Sequence, residues 1–213
     1  YSWRIERKDP NVTMPNPVLI LNPAARSEKA SGLAREIERL AAGQAVIRRT
    51  AQSGDARAFA REAAGAGFDP IIVAGGDGTV NEAVNGIAGF PARLGILPTG
   101  TMNVFAAELG LPRSLADCWK VIRDGFTRRV DLPRVSGHAF VQMAGAGFDA
   151  LAVEATSRDA KRNLGPLSYV VSAAQLAARK PPSLTVRSRE FEGGGACVLV
   201  GNGRFYGGPF PVF

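Results

Sequence analysis

A glycine-rich turn after a short apolar run carries the residues best suited to bind phosphate. The run Ile71–Ala74 leads into Gly75-Gly-Asp-Gly78, where glycines let the backbone approach a ligand without an intervening Cβ. Thr79 and Glu82 have the spacing of a capping box, which predicts a helix start with free N–H groups facing the turn. Such a start favours a phosphate, and Asp77 beside it suits a Mg²⁺ ligand or a ribose acceptor. The alternative is a tight turn whose aspartate stabilises only its own backbone.

A second turn of the same kind follows the next apolar run. In Leu97-Pro-Thr-Gly-Thr101, Gly100 and Thr101 stand at another strand-to-helix junction. Thr101 is a candidate helix N-cap and hydroxyl donor, and Asn103 is a candidate polar contact. An ordinary capped helix would explain this turn alone, but two such turns on neighbouring strands favour a phosphate site. The first turn has neither the Walker pattern nor the Rossmann spacing of glycines.

Alternating strands and helices must position these turns. Short apolar runs predict buried strands, and apolar residues three and four apart predict helices. The predicted strands are Val18–Leu21, Ala45–Arg49, Ile71–Ala74 and Arg93–Leu97. The predicted helices are Ser27–Ala42, Ser53–Ala66 with Ser53 as its N-cap, Thr79–Ala88, Met102–Leu109 and Ser114–Arg123. This order predicts an α/β fold with a doubly wound parallel sheet, in which ligands bind beyond the carboxyl ends of the strands.

Beyond about Val130 this alternation is lost. Gly-rich turns and one predicted helix, Leu167–Ala178, separate four further predicted strands. These strands are Arg129–Val135, Ala139–Ala144, Ser183–Ser188 and Ala196–Gly201. We therefore expect a mobile leader at residues 1–15, an α/β domain at 16–130 and a partial, mainly β, sandwich-like domain at 131–213.

The composition excludes several classes of site. The 213 residues carry a net charge of +7, one histidine, His138, and two cysteines, Cys118 and Cys197. A His-rich zinc site, a His-based triad and a Cys₄ cluster are thereby excluded. Both thiols are expected to be reduced, as in a cytoplasmic protein. The basic charge suits phosphorylated ligands or an anionic membrane surface, and no basic run interleaved with aromatic residues indicates nucleic acid.

Five stretches of the chain occur in the order typical of one protein family. They are Leu21-Asn-Pro-Ala24, Gly75-Gly-Asp-Gly-Thr-Val-Asn-Glu82, Leu97-Pro-Thr-Gly-Thr-Met-Asn103, Gly145-Ala-Gly-Phe-Asp149 and Gly201-Asn-Gly-Arg-Phe-Tyr-Gly-Gly208. With these stretches the chain resembles the diacylglycerol kinase catalytic-domain family, which includes bacterial lipid kinases, sphingosine kinases and ceramide kinases. NAD kinases and phosphofructokinases share the Gly-Gly-Asp-Gly turn, but the other stretches favour lipid kinases.

The resemblance implies a transfer of the γ-phosphate of ATP, with Mg²⁺, to a lipid hydroxyl. Asn22 and Thr50 would lie near the nucleotide, Gly75 to Asn81 would surround its phosphates, and Asp77 would bind the metal. Val104 stands where many family members have an acidic residue of a metal-linked network. The cofactor-binding residues so predicted are Asn22, Thr50, Gly75, Gly76, Asp77, Gly78, Thr79, Val80, Asn81, Gly100, Thr101 and Asn103.

The resemblance also implies a lipid site near Gly145–Asp149. Asp149 would contact the head group or, alternatively, cap the following helix. The family's general base and its other metal ligands lie later in the chain, so they are expected beyond Phe213, in a chain truncated at its C-terminus, and no catalytic residue is assigned.

Other functions and partners stay open on the sequence alone. One alternative is an NAD-kinase-like enzyme that phosphorylates a soluble ribose, and another is a nucleotide- or lipid-binding module without turnover. The expected partners are ATP and a lipid at the membrane surface, not nucleic acid. A homodimer and peripheral contact with the inner face of the membrane also stay open. The basic residues that suit such contact are Arg158, Lys161, Arg162, Arg179 and Lys180.

Overall fold

The structure is a computed structural model that describes residues 5–7, 14, 16–23, 29–155, 182–206 and 210–212. The chain divides into two compact units, Tyr1–Val141 and Gln142–Phe213. The predicted helix Leu167–Ala178 and the basic residues on either side of it lie outside the described residues.

Four parallel strands form the centre of the first unit. In spatial order they are β3 (Val46–Arg49), β2 (Val18–Leu21), β4 (Ile71–Gly75) and β5 (Leu94–Pro98). Every residue of β2 and β4 is buried, because these central strands are covered on both faces. That burial explains why the sequence shows them as continuous apolar runs, and the predicted parallel sheet is confirmed.

Helices cover both faces of this sheet. They are α1 (Lys29–Ala41), α2 (Asp55–Gly65), α3 (Asp77–Ile87), α4 (Val104–Glu108) and α5 (Leu115–Arg123). Alternate residues of β2 point to opposite faces. Val18 and Ile20 lie in a core with residues of α2, α3 and α4, whereas Leu19 and Leu21 lie in a second core with residues of α1 and α5. The result is the three-layer, doubly wound α/β fold that the sequence predicts.

The strand order creates a switch point at the centre of the sheet. The chain runs from β2 to β3 on one side, and then crosses back to β4 on the other side of β2. The helices that follow β2 and β4, α1 and α3, lie on opposite faces of the sheet, and this arrangement creates a crevice beyond the carboxyl ends of the two strands. Ligands of open α/β sheets bind at such a crevice.

Short strands complete the first unit. β6 (Phe126–Arg128) pairs antiparallel with β1 (Ile5–Arg7), so three residues of the predicted leader form a strand. β7 (Arg134–Val135) and β8 (His138–Ala139) form a hairpin. The single strand predicted at Arg129–Val135 is wrong, because residues 129–133 form no strand.

The Asn85 side chain of α3 binds the backbone of Ala139, near the end of the first unit. Asn85 of α3 bonds to the backbone of Ala139 twice, as acceptor from its N–H and as donor to its carbonyl, both at 2.8 Å. The next two residues, Phe140 and Val141, are also buried. The domain boundary near Asp131 stays a prediction.

The described part of the second unit is mainly β, as predicted. Its elements are β9 (Met143–Gly147), α6 (Phe148–Ala155), β10 (Leu184–Arg187), β11 (Glu192–Gly195), β12 (Cys197–Gly201), β13 (Phe205–Tyr206) and β14 (Phe210–Pro211). β9 pairs with β12, β10 with β11 and β13 with β14, all antiparallel. Across the described residues of both units, no helix has the length and apolar character needed to cross a membrane.

Candidate functional site

Three polar residues directly follow three of the parallel strands. Asn22, Thr50 and Thr99 extend β2, β3 and β5, and their N–H groups donate to carbonyls of the adjacent strands at 2.9, 2.9 and 3.1 Å. Thr50 and Thr99 are more than nine-tenths buried. The sheet therefore brings Asn22 and Thr50, both predicted to lie near a ligand, to the same edge.

The carboxyl end of β2 is joined to the start of α3. Asn22 Nδ2 donates a hydrogen bond of 2.9 Å to Thr79 Oγ1. Thr79 folds back over Gly75, where an added Cβ would lie only 2.6 Å from the Thr79 Cβ. Glycine is needed at position 75 because of this close approach, and the Asn22 and Thr79 side chains together lie at the switch point.

The first turn of α3 presents unbonded backbone donors to the crevice. The helix begins at Asp77 after Gly76 in extended conformation, and Val80 N donates to Gly76 O at 3.0 Å. The N–H groups of the three residues before Val80 have no acceptor within the helix. Such a helix start attracts anions.

The predicted capping box at this helix is wrong. α3 begins two residues before Thr79, and the Glu82 side chain reaches residues 53 and 54 rather than the helix start. Val80, also predicted to bind the cofactor, has a buried side chain and a bonded N–H. Asn81 uses its carbonyl to accept from the Asn85 side chain at 2.9 Å.

The two glycine-containing turns touch each other. A Cβ added at Gly76 would lie 3.1 Å from Gly100 Cα, and a Cβ added at Gly100 would overlap Gly76 Cα. Asn103 holds the second turn: its Oδ1 accepts from Gly100 N and its Nδ2 donates to Gly100 O, both at 2.9 Å. Asn103, in left-handed conformation, and not Thr101, is the N-cap of α4, and Thr101 is exposed. The predicted N-cap at Thr101 is therefore wrong.

Asp77 joins the turn at Gly75–Gly78 to α4, the helix that follows the turn at Gly100. Its Oδ1 accepts a hydrogen bond of 3.2 Å from Phe105 N, in the first turn of α4. Among the described residues, no group of three or more His, Cys, Asp and Glu side chains could hold a metal ion. A Mg²⁺ that arrives with substrate phosphates needs only one or two protein carboxylates, which Asp77 can supply.

Two carboxylates hold the turn that connects β3 to α2: Asp55, to which the sequence analysis gave no role, and Glu82, which it placed in a capping box. We call residues 51–54 the β3–α2 turn. Asp55 Oδ2 accepts from Ala51 N at 2.7 Å and from Gln52 N at 3.0 Å, and these backbone hydrogen bonds lower the pKa of Asp55. Glu82 Oε1 accepts from Ser53 Oγ at 3.1 Å, and Oε2 accepts from Gly54 N at 3.0 Å. Gly54, and not the predicted Ser53, is the N-cap of α2.

In the second unit, Asp149 pairs with a tyrosine. The Tyr206 hydroxyl donates to Asp149 Oδ1 at 2.6 Å, between β13 and the first turn of α6. This hydrogen bond, together with burial, raises the pKa of Tyr206 to about 12. A Cβ at Gly145 would overlap Asp149 Oδ2, so the glycine makes room for the carboxylate. Tyr206 lies in one of the stretches that carry the family resemblance, which is the signal that could have drawn attention to it.

An apolar groove of the first unit lies apart from these residues. It has a volume of about 760 Å³ and runs beside β5, between the ends of α3, α4 and α5. None of the predicted site residues lines it.

Comparisons with known proteins show what the chain is similar to. The family model described as "Diacylglycerol kinase catalytic domain" matches residues 16–135. The chain is 33% identical over 202 residues to "Probable lipid kinase YegS-like" of Klebsiella pneumoniae (strain 342), covering 92% of this chain and 68% of that protein. It is 32% identical over 202 residues to "Probable lipid kinase YegS" of Salmonella arizonae, with 91% and 68% coverage. A crystal structure of a diacylglycerol kinase from Bacillus anthracis str. Sterne superposes with a TM-score of 0.71 at 30% identity, covering 92% of this chain and 67% of that one.

Proposed function

The chain belongs to the diacylglycerol kinase catalytic-domain family, and on that premise we propose that it transfers the γ-phosphate of ATP to the hydroxyl of a lipid. The observation that carries the proposal is the contact between Gly76 and Gly100 at the carboxyl edge of the sheet. This contact joins two turns suited to phosphate. The curated relatives bear the name of lipid kinases, and the acceptor is proposed by analogy with them.

The nucleotide's phosphates would bind at the first turn of α3. The N–H groups of residues 77–79 have no acceptor within the helix, and a Cβ at Gly78 would meet no atom within 4 Å from the described residues beyond its neighbours in α3. Open space beside unbonded donors suits phosphate oxygens. Thr101 is exposed at the neighbouring turn, where its hydroxyl can add a hydrogen bond to the same group.

Asp77 is the protein's contribution to the metal that a kinase reaction uses. Its Oδ1 bonds to Phe105 N, which leaves Oδ2 to bind a Mg²⁺ that the phosphates also bind. Such an ion neutralises charge on the transferred phosphoryl group. The hydrogen bond from Phe105 N orients the carboxylate. The contact between Gly76 and Gly100 holds the two turns together.

The lipid's polar end would bind beside Asp149 in the second unit. The Tyr206 hydroxyl fixes Oδ1 of this carboxylate, and Gly145 gives Oδ2 the space it occupies. A carboxylate oriented in this way can accept a hydrogen bond from the hydroxyl of a glyceride or a sphingoid base. This role for Asp149 is part of the proposal.

Phosphate transfer from γ-labelled ATP with Mg²⁺ tests the proposed function. The acceptors are diacylglycerol, a sphingoid base, ceramide and phosphatidylglycerol in mixed micelles, with NAD as a soluble acceptor. Label in a lipid supports the proposal and identifies the acceptor. Label in NAD contradicts a lipid acceptor, and ATP binding without any labelled product indicates a binding module.

A matched pair of variants tests the nucleotide site separately. Thr101→Ser keeps the hydroxyl and Thr101→Ala removes it, and neither is expected to change the fold because Thr101 is exposed. Loss of one hydrogen bond should weaken ATP binding by about fivefold in Thr101→Ala. Thr101→Ser should bind as the wild type does. Equal affinities for all three proteins would remove Thr101 from the site.

A further inference from the structure

One residue of the second unit holds the connection from β12 to β13 at both ends. The Gln142 carbonyl accepts from Asn202 N at 2.7 Å and from Gly203 N at 3.2 Å. The Gln142 side chain donates from Nε2 to Phe205 O at 2.9 Å. Gln142 is 9% exposed, so its amide has to find hydrogen-bond partners within the protein.

Only the side-chain bond depends on the residue type at position 142. Met143 pairs with Gly201 in the ladder between β9 and β12, so Asn202 lies opposite Gln142, and any residue there supplies a carbonyl. The bond to Phe205 O needs a donor at the reach of a glutamine amide, and it joins residues 63 apart in the chain. The glutamine side chain is therefore a specific anchor of the β13 backbone.

A second anchor holds the side chain of the next residue in β13. Tyr206 donates from its hydroxyl to Asp149 Oδ1 at 2.6 Å. β9 connects the two anchors, since Gln142 directly precedes it and Asp149 follows it in the first turn of α6. Because Phe205 and Tyr206 are adjacent, a shift of the Phe205 carbonyl away from Gln142 would also move the Tyr206 hydroxyl away from Asp149.

We propose that Gln142 is a positioning residue for the lipid acceptor, whose amide holds β13 where Tyr206 can orient the Asp149 carboxylate. The inference rests on the proposed lipid site and names a residue on which that site depends. β13 pairs with β14 over only two residues, and so short a ladder fixes a strand weakly. The bonds at Gln142 and Asp149 therefore decide where the Tyr206 hydroxyl lies.

The first test follows Tyr206 in Gln142→Met, which keeps a side chain of similar length but has no donor. The pKa of Tyr206 should fall from about 12 towards its ordinary value near 10, because the hydrogen bond to Asp149 is the main cause of the raised value. Burial and the nearby Cys197 also raise this pKa, so part of the shift should remain. Tyrosinate absorbance measures the change, and Tyr206→Phe identifies the signal.

The second test is the kinetics of phosphate transfer to the lipid acceptor. Gln142→Met should raise the lipid KM by about fivefold, as expected for the loss of one hydrogen bond, and should leave the KM for ATP unchanged. A double-mutant cycle with Tyr206→Phe shows whether Gln142 acts through Tyr206. In the Tyr206→Phe background, Gln142→Met should have little further effect on the lipid KM.

Two other variants serve as controls. Gln44 in the first unit donates from Nε2 to Leu40 O at 3.0 Å, so Gln44→Met removes the same kind of bond and should leave the pKa of Tyr206 and the lipid KM unchanged. Gln142→Asn keeps a donor with a shorter reach, and it should lower the pKa of Tyr206 even if Gln142→Met does not fold. Thermal unfolding shows which variants are folded.

Three outcomes would overturn the inference. An unchanged pKa of Tyr206 in the folded Gln142 variants would mean that Gln142 does not hold Tyr206 in place. A higher lipid KM with an unchanged pKa, or an equal further rise in the Tyr206→Phe background, would mean that Gln142 acts on the lipid by another route. A wild-type chain that phosphorylates no lipid would overturn the proposed function and the positioning role with it, whereas the titration needs no substrate and reports on the contact alone.

Discussion

Asn22 and Thr79 join the carboxyl end of β2 to the first turn of α3 through one hydrogen bond of 2.9 Å. Thr79 is 8% exposed, so its hydroxyl satisfies the Asn22 amide where little water reaches it. The bond also fixes the Asn22 side chain beside the turn that is proposed to bind phosphate. A second threonine at the same sheet edge, Thr99, is 7% exposed, and its Oγ1 has no hydrogen-bond partner among the described residues.

These two threonines predict opposite effects of the same substitution. Thr79→Val removes the hydrogen-bond acceptor of the partly buried Asn22 amide, so it should lower the free energy of unfolding by about 1 kcal/mol. Thr99→Val replaces an unpaired buried hydroxyl by a methyl group of similar shape, so it should raise that energy by about 1 kcal/mol. Thermal and denaturant unfolding measure both values. Destabilisation by Thr99→Val would mean that its hydroxyl has a partner within the folded protein.

The contact between Gly76 and Gly100 predicts a severe effect of one methyl group. Gly100→Ala would drive a Cβ into the backbone of Gly76, and backbone atoms cannot move aside as a flexible side chain can. We expect a loss of about 1–3 kcal/mol of stability and weaker ATP binding, since the two turns must separate. Gly32→Ala is the matched control: Gly32 lies on α1 with no atom within 4 Å of an added Cβ, and alanine should stabilise that helix by up to about 1 kcal/mol. Wild-type stability in Gly100→Ala would contradict the close contact.

Asp77 accepts a hydrogen bond from Phe105 N and is also the proposed Mg²⁺ ligand, and two variants separate these roles. Asp77→Asn keeps an oxygen that accepts from Phe105 N, so it should unfold like the wild type but lose the enhancement of ATP binding by Mg²⁺. Asp77→Ala removes the acceptor as well, and the loss of the hydrogen bond from Phe105 N in the first turn of α4 should cost about 1 kcal/mol. Unfolding measurements and ATP titrations with Mg²⁺ or with a chelator distinguish these outcomes. Mg²⁺-enhanced binding that survives in Asp77→Asn would exclude a metal role for this carboxylate.

The sheet and its order of elements could be predicted because they depend on local patterns. β2 and β4 are buried on both faces, so their sequences are unbroken apolar runs with boundaries within one residue of those observed. The loops after these strands could be located in the same way, because the carboxyl ends of parallel strands meet at one edge, whereas Asn22 was assigned to the nucleotide through the family resemblance.

The ends of the helices could not be predicted as well, because distant contacts decide them. Thr79 and Glu82 have capping-box spacing, yet Thr79 bonds to Asn22 and Glu82 bonds to Ser53, 57 and 29 residues away. Asn103 rather than Thr101 stands at the N-cap of α4, and its side chain bonds to Gly100 and not to the helix. The pairing of Asp149 with Tyr206 spans 57 residues and has no local signal.

The two thiols are expected to differ sharply in reactivity. Cys118 is buried on α5, its Sγ donates to Pro112 O at 3.1 Å, and burial raises its pKa to about 11. Cys197 is exposed on β12. Because the thiolate is the reactive form, a disulfide reagent at neutral pH should modify one thiol per folded chain and two after denaturation. Rapid modification of both thiols in the folded protein would contradict the burial of Cys118, and Cys118→Ala identifies the reactive residue.

The Asp149–Tyr206 pair predicts a loss of stability at high pH. The pKa of Tyr206 is about 12 in the folded chain, against an ordinary value near 10 in the unfolded chain. The folded state therefore holds the phenolic proton more tightly, so this contribution to stability is complete below about pH 10 and disappears as the pH rises towards 12. The stability difference between the wild type and Tyr206→Phe should shrink over that range. Tyrosinate absorbance should show a late titration that is missing in Tyr206→Phe, and Asp149→Asn should return the pKa of Tyr206 towards the ordinary value because the acceptor loses its charge. A titration identical in the wild type and Asp149→Asn would mean that Asp149 does not hold Tyr206, and the proposed lipid role of Asp149 would then lose the partner that orients the carboxylate.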